Sequence, residues 1–400
     1  MKNNIENTEK KLRECTSCQL CSAICPTLAI KIELNEEGFY TPKINKKKCI
    51  DCGKCISICY KYDENIKMSD ENISSYGAKA KEKELLKNST SGGIATLLLE
   101  EGIKSGYKVI GVKYNYEKDI AEAVIIEKKE ELNLIKGSKY IQSFSEDIFK
   151  KVTTEVKKDE RYILIGLPCQ IYSFNKYLTK VGKRENFILI DLFCHGCPSL
   201  NLWKKYVEDL KEKYKIDKFE KIEFRSKKRG WHEFCLYLKS KDIEILTKND
   251  LDFFYRLFFS DKVLNKSCYN CKLRSTLTYT DIRLGDFWGK RYDLDKEGVS
   301  SVVIVTAQGK TLLDSIKNKI IYGKVNFREI IQNQSYGREY PNILNREKYF
   351  NLLIEDEKLD KILKKYSSLL SFNEKIIFYI RKIYFKIPQN IRFLLRKFFH

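Results

Sequence analysis

From Tyr107 onward, short apolar runs alternate with amphipathic stretches. Tyr107–Tyr114 (YKVIGVKY), Ala121–Glu127 (AEAVIIE), Arg161–Gly166 (RYILIG), Asn186–Phe193 (NFILIDLF) and the run from Ser300 to Ala307 have strand length and are rich in β-branched residues. Such runs belong to strands buried on both faces. Between and beside them, helices are predicted over Ile94–Lys104, Ser145–Lys157, Cys169–Leu178, Leu200–Lys213 and Lys310–Lys317. The alternation predicts an α/β domain with a mostly buried sheet. Two other stretches alternate with period two. Ala29–Leu34 and Phe39–Ile44 flank the turn signal Asn35–Gly38 and predict a hairpin, and His232–Leu238 predicts a strand that holds Cys235 as a small core side chain. From Cys59 to about Ala80 the chain is charged, which sets a boundary near residue 70.

The N-terminal part carries one spacing twice: Cys15, Cys18, Cys21, Cys25 and then Cys49, Cys52, Cys55, Cys59. Each run reads C-x-x-C-x-x-C-x-x-x-C, the bacterial two-cluster ferredoxin pattern, in which three cysteines hold one 4Fe-4S cube and the fourth reaches to the other. The two-residue gaps curl the chain round one cube and the longer gap turns the last thiolate away. One cluster is therefore expected on Cys15, Cys18, Cys21 and Cys59, and the other on Cys49, Cys52, Cys55 and Cys25. Pro26 follows the first run, whereas Tyr60 follows the second, a departure that removes no ligand. A pair of zinc knuckles shares the C-x-x-C spacing but leaves the third and fourth cysteine of each run without a role.

Composition narrows the class. Fourteen cysteines behind an N-terminus with no apolar leader read as metal ligands in a reducing cytoplasm. A hydrophobic fraction of 43% supplies an ordinary core, and no apolar run is long enough to span a bilayer. The net charge of +21 raises nucleic acid as a partner, but no nucleic-acid-binding motif accompanies it, so none is expected and a solvated lysine-rich surface explains the excess.

Six further cysteines lie outside the runs: Cys169, Cys194, Cys197, Cys235, Cys268 and Cys271. Cys169 and Cys194 follow predicted strands, at the sheet edge where open α/β folds bind ligands. Four thiolates converging from separate loops would make a third 4Fe-4S site, which is the expectation for these cysteines. The chain has neither G-x-G-x-x-G nor the P-loop pattern. For a phosphate-bearing cofactor the candidate seat is Asn88–Gly93 ahead of the helix at Ile94, where small residues expose N–H groups. The same residues equally describe an ordinary cap at Ser91.

Together, Thr90-Ser91-Gly92-Gly93, Gly137-Ser138-Lys139-Tyr140-Ile141-Gln142-Ser143, Gly166-Leu167-Pro168-Cys169-Gln170, Cys194-His195-Gly196, and Cys268-Tyr269-Asn270-Cys271 followed by Asp281–Gly289 resemble the beta subunit of coenzyme F-420 hydrogenase and dehydrogenase. The match runs from about residue 70 to 310. The resemblance implies an FAD-binding α/β domain, an iron-sulfur cluster beside the flavin and a small-molecule two-electron substrate. By motif, Cys169, Cys194, Cys268 and Cys271 become the ligands of the third cluster, Ser91, Gly92 and Gly93 contacts for the flavin phosphate, and Lys139 and Gln142 flavin or substrate contacts. Cys197 stands where the pattern more often shows an aliphatic residue and competes with Cys194 as ligand. His195 and Lys139 are the candidates for proton transfer. His195 can instead orient the cluster by hydrogen bonding to its sulfurs. Asp191 and Asp286 are weighed with them, and Asp286 and Trp288 equally fit a structural turn.

The expected organisation is an α+β ferredoxin domain over residues 1–70, a flavin domain over 71–345 (parts 71–158 and 159–345), and a helical tail over 346–400. In the tail, aromatics and aliphatics mix with Lys375, Arg381, Lys382, Lys386, Arg392, Arg396 and Lys397. Two basic amphipathic helices broken at Pro388 would lie on an anionic membrane or pack on the domain. The expected function is an iron-sulfur flavoprotein oxidoreductase that moves electrons between a redox partner protein or ferredoxin and its substrate. The alternative is a non-catalytic electron-relay subunit of a larger complex.

Overall fold

The computed structural model describes residues 3–68, 71–155, 157, 159–241, 243–247, 251–340, 346–355, 358–384, 387 and 391. At the N-terminal end, β1 (Ile30–Leu34) and β2 (Tyr40–Ile44) form the expected antiparallel hairpin, with Leu34 opposite Tyr40 and Ile30 opposite Ile44. Gly38, at φ 79°, closes its turn, and the Asn35 side chain accepts from the Phe39 N–H at 2.8 Å.

The larger part is organised by β3 (Ser74–Ala80), β4 (Tyr107–Asn115), β5 (Ile120–Ile126), β6 (Ser143–Phe144), β7 (Arg161–Gly166), β8 (Phe187–Leu192), β9 (Lys221–Ser226), β10 (Cys235–Ser240), β11 (Ile243–Leu246), β12 (Ile282–Asp286), β13 (Ser300–Ile304) and β14 (Ile320–Lys324). Nine of these make one mixed sheet in the order β14-β3-β13-β12-β8-β7-β4-β5-β6, and β11-β10-β9 make a small antiparallel sheet. The centre, β12-β8-β7-β4, is parallel, and β8, β7 and β4 carry the apolar runs that burial on both faces requires, while β12 (Ile-Arg-Leu-Gly-Asp) does not.

One face is covered by the helix Ile94–Lys104, whose Ile94, Leu97 and Leu98 pack on Val109, Ile163, Ile190 and Val302. Against the other face, helices Glu146–Glu155 and Pro168–Lys180 bring Phe149, Phe174 and Leu178, and the N-terminal unit adds Leu20, Ala23 and Ile58 to the same core. The N-terminal unit is thus packed against the sheet layer through Leu20, Ala23 and Ile58. Gln19 donates to the Ser143 carbonyl at 2.7 Å and accepts from the Ser145 and Glu146 N–H groups, capping the helix Glu146–Glu155 from outside the α/β part.

Several boundaries differ from expectation. The helix expected over Lys310–Lys317 spans Ala307–Asp314, because Thr306 accepts from the Gly309 N–H at 3.1 Å and starts it earlier. The strand expected from His232 begins at Cys235, since Trp231 and His232 turn aside into aromatic contacts with Trp288. Residues 74–80, which read as part of a charged connection, form β3 inside the large sheet between β13 and β14.

Helices Arg346–Ile354 and Leu359–Leu369 bury Tyr349, Phe350, Leu353, Ile362 and Tyr366 in the core that includes the helix Leu200–Tyr214. Arg346, fully buried, grips Glu37 of the hairpin turn with two hydrogen bonds of 2.5 and 2.6 Å. This part of the expected tail therefore packs on the body. The following helix, Phe372–Tyr384, leaves Phe372, Ile376, Tyr379, Ile380 and Ile383 exposed. The break at Pro388, the cations at 386, 392, 396 and 397, and the side chain of Arg381 lie outside what the structure describes. Among the described residues no helix is long and apolar enough to cross a membrane.

Candidate functional site

The sequence repeat of the two cysteine runs is also a backbone repeat. Ser17 and Asp51, and again Gln19 and Gly53, occupy equivalent places and all have positive φ, 60°, 49°, 68° and 73°. These left-handed residues let each chain curl between its cysteines before the short helices Leu20–Ala23 and Lys54–Ser57. Cys15, Cys18, Cys21 and Cys59 line one cavity, and Cys49, Cys52, Cys55 and Cys25 line a second. Each cavity takes three sulfurs from one run and the last from the other.

Polar groups from both parts of the chain lie against these sulfurs. The Ser17 N–H lies 3.4 Å from Cys15 Sγ, the Ala29 N–H 3.3 Å from Cys25 Sγ, and the buried Ser173 hydroxyl of the α/β part 3.3 Å from Cys18 Sγ. Burial pushes the Cys15 thiol up to about 11, and burial with neighbouring thiols pushes Cys21 and Cys59 well above the usual range. Burial also works against the Cys25 thiolate, but donors from Ala29, Thr27 and Ile30 hold it below that range.

The third set gathers at the C-terminal edge of the parallel strands. Cys169 follows β7 in the first turn of the helix Pro168–Lys180, Cys194 follows β8, Cys268 lies in the short helix Lys266–Tyr269, and Cys271 comes two residues after it, ahead of β12. They line one cavity of about 590 Å³, part of it open to solvent, together with Cys197, Gln142 and Arg274. Five cysteines therefore face it, and both Cys194 and Cys197 are present. The Cys197 N–H lies 3.4 Å from Cys268 Sγ. Buried Arg274 holds the loops together, donating to the carbonyls of Cys194 (3.2 Å), His195 (3.0 Å) and Cys268 (2.7 Å). Burial pushes Cys194 to about 11 and Cys268 to about 12, and Cys169 and Cys197 well above the usual range.

Buried thiols this close together are costly as thiolates unless a polycation neutralises them, which is the chemistry an iron-sulfur cube supplies. Among the described residues no three His, Cys, Asp or Glu side chains gather at a single-ion position; the cysteines surround cavities. The three cavities adjoin one another in turn. Thr16 and Ser17 belong to the walls of both the third cavity and the one at Cys15, and Cys21 interacts electrostatically with Cys55 of the second.

Of the groups weighed for proton transfer, His195, Asp191 and Asp286 are engaged elsewhere. His195 does not line the cavity: its Nε2 meets Asp261 at 2.7 Å and its Nδ1 the Tyr340 hydroxyl at 3.1 Å. Asp191 is sealed in a two-point pair with Arg283, 2.8 and 2.5 Å, with both side chains at most 3% exposed. Asp286 accepts from Trp231 Nε1 at 2.8 Å and pairs with Arg225. Trp288 stacks on Trp231, ring centroids 5.1 Å apart. Cys235 lies in the core, apart from the other cysteines, with its thiol directed at the Ser226 carbonyl.

Of the residues expected at a flavin, Gln142 is buried at the third cavity and accepts from the Tyr40 N–H at 2.7 Å. Gly93, at φ 77°, precedes the helix Ile94–Lys104. Two neighbouring polar groups are already committed: Ser91 donates to the Val299 carbonyl at 3.0 Å, and the Gly92 N–H to Ser300 Oγ at 3.0 Å. Gly92 is small because strands press on it; a Cβ there would lie 2.3 Å from the Ala78 oxygen. Lys139 is half-buried and donates to the carbonyls of Ile135, Lys136 and Gly137, and burial lowers it to about 7.

Arg225, which no sequence pattern singled out, stands beside these segments. Its guanidinium lies 4.4 Å from the Phe234 ring centroid and 5.0 Å from that of Trp288, and interacts with Tyr140. One nitrogen pairs with Asp286, while Nε and Nη2 are buried without an acceptor among the described residues. Two residues on, Lys227 donates to the Ser91 carbonyl at 2.6 Å, tying β9 to the loop before Gly93. Unpaired buried donors on a cation fit an acceptor supplied by a ligand.

Three family models match the chain. They are a 4Fe-4S dicluster domain over residues 14–61, the N-terminal part of the coenzyme F420 hydrogenase/dehydrogenase beta subunit over 75–148, and the C-terminal part of that same beta subunit over 159–329. No curated protein matches it. Among solved structures, a chain of the xenon-derivatised F420-reducing [NiFe] hydrogenase complex from Methanosarcina barkeri is 18% identical, with 75% of this chain and 94% of that one covered, at a TM-score of 0.47. Through the two adjoining beta-subunit models, with the dicluster domain ahead of them, the chain belongs to the coenzyme F420 hydrogenase/dehydrogenase beta-subunit family.

Proposed function

We propose that this chain is an iron-sulfur flavoprotein oxidoreductase that exchanges electrons between a protein partner and a small two-electron organic substrate. The observation that carries the reading is the series of three cysteine-lined cavities joined through Thr16, Ser17 and the Cys21–Cys55 neighbourhood. Cys15, Cys18, Cys21 and Cys59 hold one 4Fe-4S cluster, Cys49, Cys52, Cys55 and Cys25 the second, and Cys169, Cys268 and Cys271 with Cys194 or Cys197 a third. The flavin, FAD, would be held by Gly93 at its helix start, by Lys139 and by the nitrogens of Arg225, and Gln142, in the wall of the cysteine cavity, would be a further flavin or substrate contact. When bound, these groups supply one-electron steps on the cluster side and a two-electron exchange on the flavin side.

The chain's own residues exclude water, orient and neutralise. Gln19, Gln142 and Ser173 fix the N-terminal unit against the sheet so that the cavities stay adjoined. Arg274 holds the carbonyls of the Cys194 and Cys268 loops. Lys139, lowered to about 7, is suited to give or take a proton near neutrality.

The committed hydrogen bonds of Ser91 and Gly92 favour a second reading, an electron-relay subunit whose chemistry lies on a partner chain. Anaerobic purification with iron, sulfide and flavin assays decides between them. About twelve irons and one FAD per chain are expected. Full iron without flavin, and no uptake of added FAD, would leave the relay reading. We also propose that the exposed apolar side of the helix Phe372–Tyr384 rests on an anionic membrane.

A further inference from the structure

The series of cysteine cavities has an outer end, and its surroundings identify what approaches it. Cys52 is the exposed cysteine of the chain among the described residues, while Cys18, Cys21, Cys55 and Cys197 are buried and the others half-buried or, like Cys235, in the core. The cavity that Cys52 shares with Cys25, Cys49 and Cys55 has no wall residue in common with that of the third set, whereas the cavity at Cys15 shares Thr16 and Ser17 with it. An electron that enters from another protein therefore has its shortest approach at Cys52.

The rim of this cavity has a definite chemical character. Lys46, Lys47 and Lys48 run directly into Cys49, and Lys54 follows Cys52 by two residues; all four are exposed. None of the four ammonium groups has a hydrogen-bond or ion-pair partner among the described residues. This sets them apart from Lys31 and Lys43 on the same unit, which share Glu33. The neighbouring carboxylate, Asp51, is held by the Asn4 amide. Between these lysines in the chain, and on the cavity wall with Lys54, comes Ile50, 65% exposed, with Leu28, 55% exposed, next to Pro26 and Thr27 of the same wall. An apolar centre with a rim of one charge sign is how a surface steers and seats a partner of the opposite sign.

We infer that Lys46, Lys47, Lys48 and Lys54, with Ile50 at their centre, form the docking surface for a small acidic one-electron carrier protein. The carrier gives up one electron and the group held by Cys25, Cys49, Cys52 and Cys55 gains it; no bond or proton moves. The inference rests on the oxidoreductase reading, because a docked carrier needs an acceptor at Cys52.

The test is anaerobic stopped-flow reduction of the full-length, iron-loaded chain by a reduced acidic bacterial-type ferredoxin. The chain carrying Lys46→Glu, Lys47→Glu, Lys48→Glu and Lys54→Glu is compared with one carrying Lys→Glu at Lys87, Lys118, Lys180 and Lys324, four exposed lysines of the α/β part. At low salt the first variant should lose at least about tenfold in second-order rate, with a flattened salt dependence, and the second should lose much less. Iron content and reduction by dithionite should match the wild type in both. Equal rates for wild type and the first variant, or equal losses in both variants, overturn the docking surface alone. Wild-type protein that binds no iron at the two N-terminal cavities overturns the oxidoreductase reading and the docking surface with it.

Discussion

The pair of Asp191 and Arg283 offers a perturbation whose size follows from the structure. The two residues lie opposite each other on the parallel strands β8 and β12, and both side chains are at most 3% exposed. Arg283 Nη1 also donates to the Arg274 carbonyl at 3.0 Å, three residues beyond Cys271, while β8 leads into Cys194. The pair thus fixes two of the three chain segments that deliver the third cysteine set. Asp191→Ala removes the carboxylate that Arg283 meets and leaves a guanidinium sealed from water with carbonyl partners alone.

An uncompensated buried charge of this kind costs about 3 to 5 kcal/mol. The thermal midpoint of the anaerobic protein should fall on the order of 5 to 10 °C, scaled down for a chain larger than a small domain. Iron bound by the third set should fall with it, because Arg274 loses an anchor. Replacing both members, Asp191→Leu with Arg283→Met, should recover part of the loss, since the apolar pair carries no charge to desolvate. The rest stays lost, because the Arg274 carbonyl gives up a donor. A fall of less than about 1 kcal/mol in Asp191→Ala, or a double variant worse than the single one, would refute the reasoning.

Cys25→Ser should damage the cluster formed mainly by Cys49, Cys52 and Cys55, and Cys59→Ser the one formed by Cys15, Cys18 and Cys21; cluster spectra of each variant check the crossing, and loss confined to the variant's own run contradicts it. Gly92→Ala brings a Cβ within 2.3 Å of the Ala78 oxygen, backbone that cannot swing away, and should destabilise the fold by about 1 to 3 kcal/mol in denaturant titration; an unchanged midpoint would show that β3 yields at this point. The full chain should float with anionic vesicles in a salt-sensitive way, and Ile380→Glu with Ile383→Glu should weaken this without changing iron content; equal flotation of both proteins would retire the membrane contact.

The sequence by itself determined the features whose signals are local. The two cysteine runs announce themselves through spacing, since a chain curling round a compact cluster needs its ligands two residues apart, and the same spacing returns as paired left-handed residues at Ser17 and Asp51. The strands β4, β7, β8 and β13 were legible because burial on both faces demands apolar runs. The helix Ile94–Lys104 was legible with its ends, through Gly93 ahead of it and the polar turn behind.

Tertiary structure decided what depends on residues far apart in the chain. The run Ser74–Ala80, with little strand character of its own, becomes a strand because β13 and β14 hydrogen-bond it from both sides. The N-terminal unit reads as a separate domain, yet Ser17 meets Asn265 at 3.1 Å and Glu37 meets Arg346, contacts that no pattern within either segment announces. His195 stands between two cysteines in the sequence, but Asp261 and Tyr340 draw its ring away from their cavity. Gly92 looked like a ligand seat and is shaped by strand backbone, while Arg225, an unremarked cation in sequence, holds unpaired donors because its aromatic neighbours and Asp286 converge on it from three separate segments. The reason is the same in each case: a spacing records what one segment requires of itself, whereas the protonation, partners and free donors of a buried side chain are set by whatever other segments the fold brings against it.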